Sequence, residues 1–176
     1  KENGVWKSWY NNGQLKDHGS YNLGKMDDKW VGYYTNGQKK YSGEYEEDYK
    51  INSWIYYSVK GDIVETRNYK VLNKRSMLIP DENRMVKKSV ADGKWIKYSE
   101  YDQSLKSEEN YTDGKLDGEC TYYFPGGIVP NRIVNYKNGL LEGKYQNFSR
   151  KGAVISETNY KNNRKHGDVK VCLLYT

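Results

Sequence analysis

The sequence has 176 residues, 36% hydrophobic and 30% charged, with a mean hydropathy of -1.06 and a net charge of +6. That length allows one domain, but so polar a chain excludes a thick globular core, and it has no apolar run long enough to span a membrane as a helix. It also excludes ordinary disorder, because 15% of the residues are aromatic, 19 of them Tyr, and disordered chains are poor in such rings.

The first predicted elements lie in "GVWKSWYNNGQLKDHGSYNLGK", residues 4 to 25. Two strands flank Asn12-Gly13, a two-residue hairpin signal, since Asn and Gly tolerate the positive φ of a type I′ turn. Leu23-Gly24 then turns the chain into the next hairpin. The pattern recurs. A lead residue stands at Trp6, Trp30, Trp54, Trp95, Cys120, Tyr145 and Val169, at intervals of 24, 24, 41, 25, 25 and 24. Three residues after each lies Trp9, Tyr33, Tyr57, Tyr98, Tyr123, Phe148 and then Cys172. Tyr21, Tyr45, Tyr69, Tyr111, Tyr136 and Tyr160 close the copies.

Two strands of about ten residues and two turns of two make an even period, so the side chains of every copy fall on the same faces. The expected fold is all-β: an elongated single-layer antiparallel β-meander, a single repeat domain over residues 1–176. It would hold about 15 strands and run roughly 70 Å at about 4.8 Å per strand. The interval of 41 is read as two periods with a shortened hairpin from Leu78 to Val90, an irregular copy over residues 70–92. That reading counts about seven hairpins and a final half-copy. "MLIPDEN" is then either a specificity element or part of a decayed copy. The 25-residue copies need one extra residue, which "SEYDQS" and "FPGGIVPN" can absorb.

Register follows from the turns. Tyr10 is expected to face Leu15, Trp9 to face Lys16, Trp6 to face Gly19 and Gly4 to face Tyr21, with Tyr21 against Met26 across the next turn. In the second copy Trp30 falls opposite Gly43, Asp28 opposite Tyr45 and Tyr33 opposite Lys40. The packed face would carry Trp6, Tyr10, Leu15, Tyr21 and Met26, the glycines leaving room for a ring to lie across the neighbouring strand.

Copies such as "YTDGKLDGECTYYFPGG" and "YNLGKMDDKWVGYYTNGQ" resemble the MORN repeat, specifically its bacterial variant in YwqK-like antitoxins, over residues 4 to about 175. The resemblance implies stacked antiparallel hairpins without an active site. It also implies roles in protein scaffolding, contact with membrane phospholipid, or neutralisation of a toxin. It implies a bacterial protein and leaves the compartment, cytoplasm or cell surface, undetermined. The sequence opens at Lys1 rather than Met, so it carries no information about a leader or earlier repeats.

The residue chemistry points the same way. His18 and His166 lie in the first and last full copies and have no spacing partner for a metal or for acid–base work. Adjacent carboxylates such as Glu108-Glu109 point to opposite faces of a strand. Cys120 and Cys172 are expected to be free thiols filling apolar positions. No catalytic residue, metal site or cofactor is therefore expected, and the protein reads as a non-enzymatic binding module.

The second aromatic stripe, Trp9, Tyr33, Tyr57, Tyr98, Tyr123 and Phe148, has opposite parity to the lead residues and is expected on the other face. Two readings stay open. In one the stripe is shielded, Lys16 and Lys40 laying their stems over Trp9 and Tyr33 while Val64 and Ile155 cover Tyr57 and Phe148. In the other the same rings and lysines form a docking surface for a protein partner, a toxin in the antitoxin reading. The positive charge admits an anionic lipid, nucleic acid is disfavoured, and the apolar last strand "VKVCLLYT" offers an edge for a homodimer.

Overall fold

A computed structural model of the protein describes residues 1–75 and 85–171. These residues contain strands and turns but no helix. The chain divides into two compact units, Lys1–Asp92 and Gly93–Thr176. The first contains β1 (Gly4–Trp9), β2 (Leu15–Asn22), β3 (Lys25–Tyr33), β4 (Lys39–Glu46), β5 (Tyr49–Tyr57), β6 (Ile63–Arg75) and β7 (Met85–Ala91). The second contains β8 (Gly93–Tyr98), β9 (Leu105–Thr112), β10 (Lys115–Leu116), β11 (Gly118–Tyr123), β12 (Pro130–Lys137), β13 (Leu140–Phe148), β14 (Val154–Lys161) and β15 (Arg164–Val171). In each unit successive strands pair antiparallel, the meander expected from the spacing; β9 pairs with both β10 and β11.

The two ends of the hairpins use different turns. At Leu23-Gly24 both residues have positive φ, 52° and 82°, and Asp113-Gly114 and Asn138-Gly139 repeat this type I′ geometry. At Asn12-Gly13, where the sequence suggested the same turn, only Gly13 takes positive φ, 81°. There Gly13 N–H donates to Tyr10 O at 2.9 Å and Tyr10 N–H to Gln14 O at 2.8 Å. This is a three-residue loop, a type I turn closed by a left-handed glycine that forms a bulge.

That bulge shifts the register by one residue. Ser8 faces Asp17, but Trp9 faces Leu15 and Lys16 drops out of the pairing. The same slip sets Tyr33 against Lys39 instead of Lys40. Leu15, expected on the packed face with Trp6, is thus the partner of Trp9, and Tyr10 pairs with Gln14. Nearer the type I′ turns the predicted pairs hold: Trp6 with Gly19, Gly4 with Tyr21, Tyr21 with Met26, Trp30 with Gly43 and Asp28 with Tyr45.

A second irregularity builds the packed face. Between the pairs Ser20–Asp27 and His18–Val31 the outgoing strand has two residues more than the return strand, and Asp28 takes φ 62° to accommodate them. An even excess leaves the faces unchanged. It carries Trp30 over Gly19, where an added Cβ would lie 2.2 Å from Trp30 Cδ2, and the indole Nε1 donates to Ser20 O at 3.2 Å. Trp54 does the same over Gly43, donating to Glu44 O at 3.2 Å. The glycine thus makes room for the next copy's indole and not for its own register partner.

Smaller lead residues are matched by larger residues at the glycine position. Glu109 precedes Cys120, Val134 precedes Tyr145 and Thr158 precedes Val169. Trp30, Trp54, Cys120 and Val134 are the buried apolar side chains of the described residues, a thin core of the kind one sheet layer allows. Around them, rings meet edge to face: Tyr21 with Trp30 at 5.5 Å and Tyr45 with Trp54 at 4.9 Å between centroids. Cys120 is buried and free, as expected; Cys172 lies outside the described residues.

The irregular copy is an insertion and not a shortened repeat. β6 runs on past Tyr69, and β7 returns along it from Arg75–Met85 to Tyr69–Ala91. The interval of 41 is therefore one period with an extra hairpin inserted. Of the seven hairpins expected, six are regular pairs in the structure, β1β2, β3β4, β5β6, β8β9, β11β12 and β13β14, and β15 is the half-copy. "MLIPDEN" lies outside the described residues. The 25-residue copies do place their extra residue in "SEYDQS" and "FPGGIVPN": Ser99 N–H bonds to Ser104 O at 2.8 Å and Phe124 N–H to Val129 O at 3.0 Å, each closing a four-residue loop.

Candidate binding surface

Alternation along paired strands puts the second stripe on the face opposite the lead residues. In the first unit Lys7, His18, Val31, Ser42, Ile55 and Thr66 pair across the strands as one continuous row of that face. Trp9, Tyr33 and Tyr57 stand two residues further along their strands, beside the three-residue loops. Tyr98, Tyr123 and Phe148 hold the equivalent place in the second unit.

Within each unit the loop bulge decides what lies against these rings. Trp9 faces Leu15, Tyr57 faces Ile63, Tyr98 faces Leu105, Tyr123 faces Pro130 and Phe148 faces Val154. The ring neighbours are therefore largely aliphatic. Val64 and Ile155, expected as covers for Tyr57 and Phe148, occupy the bulge and are skipped in the pairing. Lys16 and Lys40 are likewise skipped in the pairing, and their ammonium groups lie 5.9 Å from the Tyr10 ring and 5.8 Å from the Tyr34 ring. Tyr10 and Tyr34 in turn donate their hydroxyls to Tyr33 O and Tyr57 O, both at 2.8 Å, tying each loop to the next copy.

The stripe is not uniform. Tyr33, Tyr57, Tyr98, Tyr123 and Phe148 are half-buried. The Tyr57 hydroxyl sits 3.4 Å from Ser42 Oγ. Tyr123 donates to Glu108 Oε2 at 2.8 Å, while Lys94 Nζ meets Oε1 at 2.9 Å. Burial and then the Glu108 carboxylate push the Tyr123 phenol up to about 12, and hydrogen bonds from Lys94 and Tyr123 hold Glu108 below its ordinary value. Trp9 differs: it is 59% exposed. With Tyr10, Asn11, Asn12, Lys16 and Thr35 it lines an open hollow of about 410 Å³.

Two features were not legible as sites in the sequence. Lys50 sits where the preceding copy has Met26, and its ammonium lies 4.0 Å from the Trp54 ring centroid, 5.6 Å from that of Tyr56 and 5.8 Å from that of Tyr69. It donates to Tyr56 OH at 3.1 Å, and burial lowers its pKa from the usual lysine value. In the second unit Lys161, Asn162, Arg164, Lys165 and His166 line a basic hollow of about 500 Å³ at the turn between β14 and β15. Only the run of basic residues around His166 signalled it.

His18 and His166 fall in separate units, and among the described residues no three His, Cys, Asp or Glu side chains are grouped to hold a metal ion. No protein-family model matches the chain, and no curated protein matches it.

Proposed function

We propose that the chain is a non-enzymatic repeat-array module that binds a protein partner. The supporting observation is Trp9, a large ring left 59% exposed beside an open hollow on a sheet whose equivalent rings are half-buried. Exposed Trp flanked by amide and ammonium groups suits a protein interface, where Trp and Tyr carry much of the binding energy. The resemblance of the copies to MORN repeats supports a scaffold role. Neutralising a toxin is the narrower form of the same reading, and rescue of growth on co-expression with a candidate toxin tests it.

A partner identified with the wild-type chain should bind a Trp9→Ala variant about tenfold or more weakly, with the circular dichroism of the sheet unchanged. Equal affinity of the two proteins sinks the assignment to this face. The basic hollow around Arg164 and His166 supports a second reading, an anionic surface such as lipid as partner. That reading requires binding to anionic vesicles to fall steeply between low and physiological salt.

A further inference from the structure

Neighbouring copies of the first unit are joined by one set of contacts, made twice. Between the first and second copies, Tyr10 OH donates to Tyr33 O at 2.8 Å, Asn12 Nδ2 to Thr35 O at 3.4 Å and Trp30 Nε1 to Ser20 O at 3.2 Å. Between the second and third, Tyr34 OH donates to Tyr57 O at 2.8 Å, Asn36 Nδ2 to Val59 O at 2.9 Å and Trp54 Nε1 to Glu44 O at 3.2 Å. A glutamine completes the set: a Cβ on Gly37 would meet Gln14 Oε1 at 3.5 Å, and one on Gly61 would meet Gln38 Oε1 at 2.9 Å. Each set comes from one hairpin, whose return-strand glycine lies under the next indole and whose loop reads Tyr-x-Asn-Gly-Gln.

The first copy presents the receiving half of this set without an occupant. Among the described residues no acceptor meets Trp6 Nε1, no side chain donates to Trp9 O or Asn11 O, and a Cβ on Gly13 would meet nothing within 4 Å. Among the same residues β1 pairs with β2 alone, which leaves its other edge unpaired. The rings are correspondingly open. Trp6 is half-buried where Trp30 and Trp54 are 4% and 1% exposed, and Trp9 is 59% exposed where Tyr33 and Tyr57 are half-buried. An unpaired edge suits strand addition, in which main-chain bonds supply affinity and side-chain pockets supply specificity.

We infer that the β1 edge receives a β-hairpin of a partner protein, with a glycine in its return strand and a Tyr-x-Asn-Gly-Gln loop. The return strand pairs with β1 and lays its glycine under the Trp6 indole; the carbonyl of the residue after that glycine accepts from Trp6 Nε1. The Tyr hydroxyl and Asn amide of the loop donate to Trp9 O and Asn11 O, and its Gln covers Gly13. A second copy of this chain does not supply the hairpin, because its loops of that form, residues 10–14 and 34–38, already cap loops of their own chain. Its other loops lack the donor: Ser58, Ser99, Phe124 and Ser149 stand where Tyr10 and Tyr34 do. The inference rests on the Trp9 reading and names the form of its partner.

The test is an NMR titration of the isotopically labelled full chain with a peptide of residues 29–45, closed by a disulfide between Val31→Cys and Ser42→Cys, which face each other in the parent hairpin. The amides of residues 4–14 should shift, and the Trp6 indole N–H should move downfield. In the peptide, Tyr34→Phe and Asn36→Asp should each weaken binding by roughly two- to tenfold. Asp keeps the acceptor that Asn36 Oδ1 offers Gln38 N–H and removes the outward donor. Gly43→Val in the peptide should abolish binding, since the Trp6 indole then has no place to lie. No shift at residues 4–14, or equal binding by all four peptides, overturns the inference. A partner protein whose affinity falls with Trp9→Ala, while the hairpin peptide leaves β1 unshifted, sinks the inference alone; unaltered affinity of that partner for Trp9→Ala sinks the reading beneath it.

Discussion

The indole of Trp30 lies flat enough on Gly19 that a Cβ there would stand 2.2 Å from its Cδ2 and Cε2 atoms. Gly19→Ala should therefore force Trp30 aside and cost about 1–3 kcal/mol, the range for overpacking a filled site. Trp30→Ala should cost about 3–5 kcal/mol, because a side chain only 4% exposed is removed. Val134 facing Tyr145 fills the same place with a different division of volume. Combining Gly19→Val with Trp30→Tyr should thus be markedly less destabilising than the sum of the single changes. Denaturant unfolding of the four proteins measures that coupling.

The tie between loops predicts a smaller effect. Tyr10→Phe and Tyr34→Phe each remove a hydroxyl that donates to a backbone carbonyl of the next copy at 2.8 Å. Each should lower stability by about 0.5–1.5 kcal/mol. Hydrogen exchange should quicken in the loops at residues 10–14 and 34–38. A change confined to distant strands would contradict this role.

Leu23 holds φ 52° in a type I′ turn with its side chain 65% exposed, a conformation that Asn accepts more readily than Leu. Leu23→Asn should raise the melting temperature, by an amount equivalent to about 0.5–1 kcal/mol. An unchanged or lower melting temperature would show that the Leu23 side chain makes a contact that offsets its backbone strain.

The sheet should fail in base. The Tyr123 phenol is raised from 10.0 to about 12 in the folded protein, and burial raises Tyr41, Tyr111 and Tyr122 as well. Such phenols keep their protons while those of the unfolded chain lose theirs. Their contribution is fully present below pH 10 and is lost as pH rises through about 12. Tyrosinate absorbance and circular dichroism should change together across that window. Tyr123→Phe should make the onset of alkaline unfolding more gradual.

Much of this architecture is visible in the chain itself because a repeat states the same physical demand many times. Trp6, Trp30 and Trp54, with a closing Tyr in each copy, mark one face, and Asp113-Gly114 or Asn138-Gly139 mark turns that need positive φ. The Trp9 stripe was legible as the opposite face, since three residues separate it from the lead and alternation has a period of two. The pairing of Lys16 and Lys40 was not. Asn12-Gly13 satisfies either a two-residue type I′ turn or a three-residue turn with a glycine bulge, and the two differ by one residue in register. The inserted hairpin after Tyr69 reads in the sequence as a shortened copy, because an interval of 41 falls just short of two 24-residue periods.

The recurring rings, the turn signals between them and the alternation of each strand were enough to determine an antiparallel meander with an aromatic stripe on each face, since a tight turn after every strand lays it back beside its predecessor. Which residue lies against which was decided only by the folded hydrogen-bond ladder. There a bulge removes Lys16 from the pairing, and two extra residues before Trp30 lay its ring on Gly19 and not on its own partner. Such slips depend on contacts between neighbouring copies, and a pattern read within one copy does not contain them.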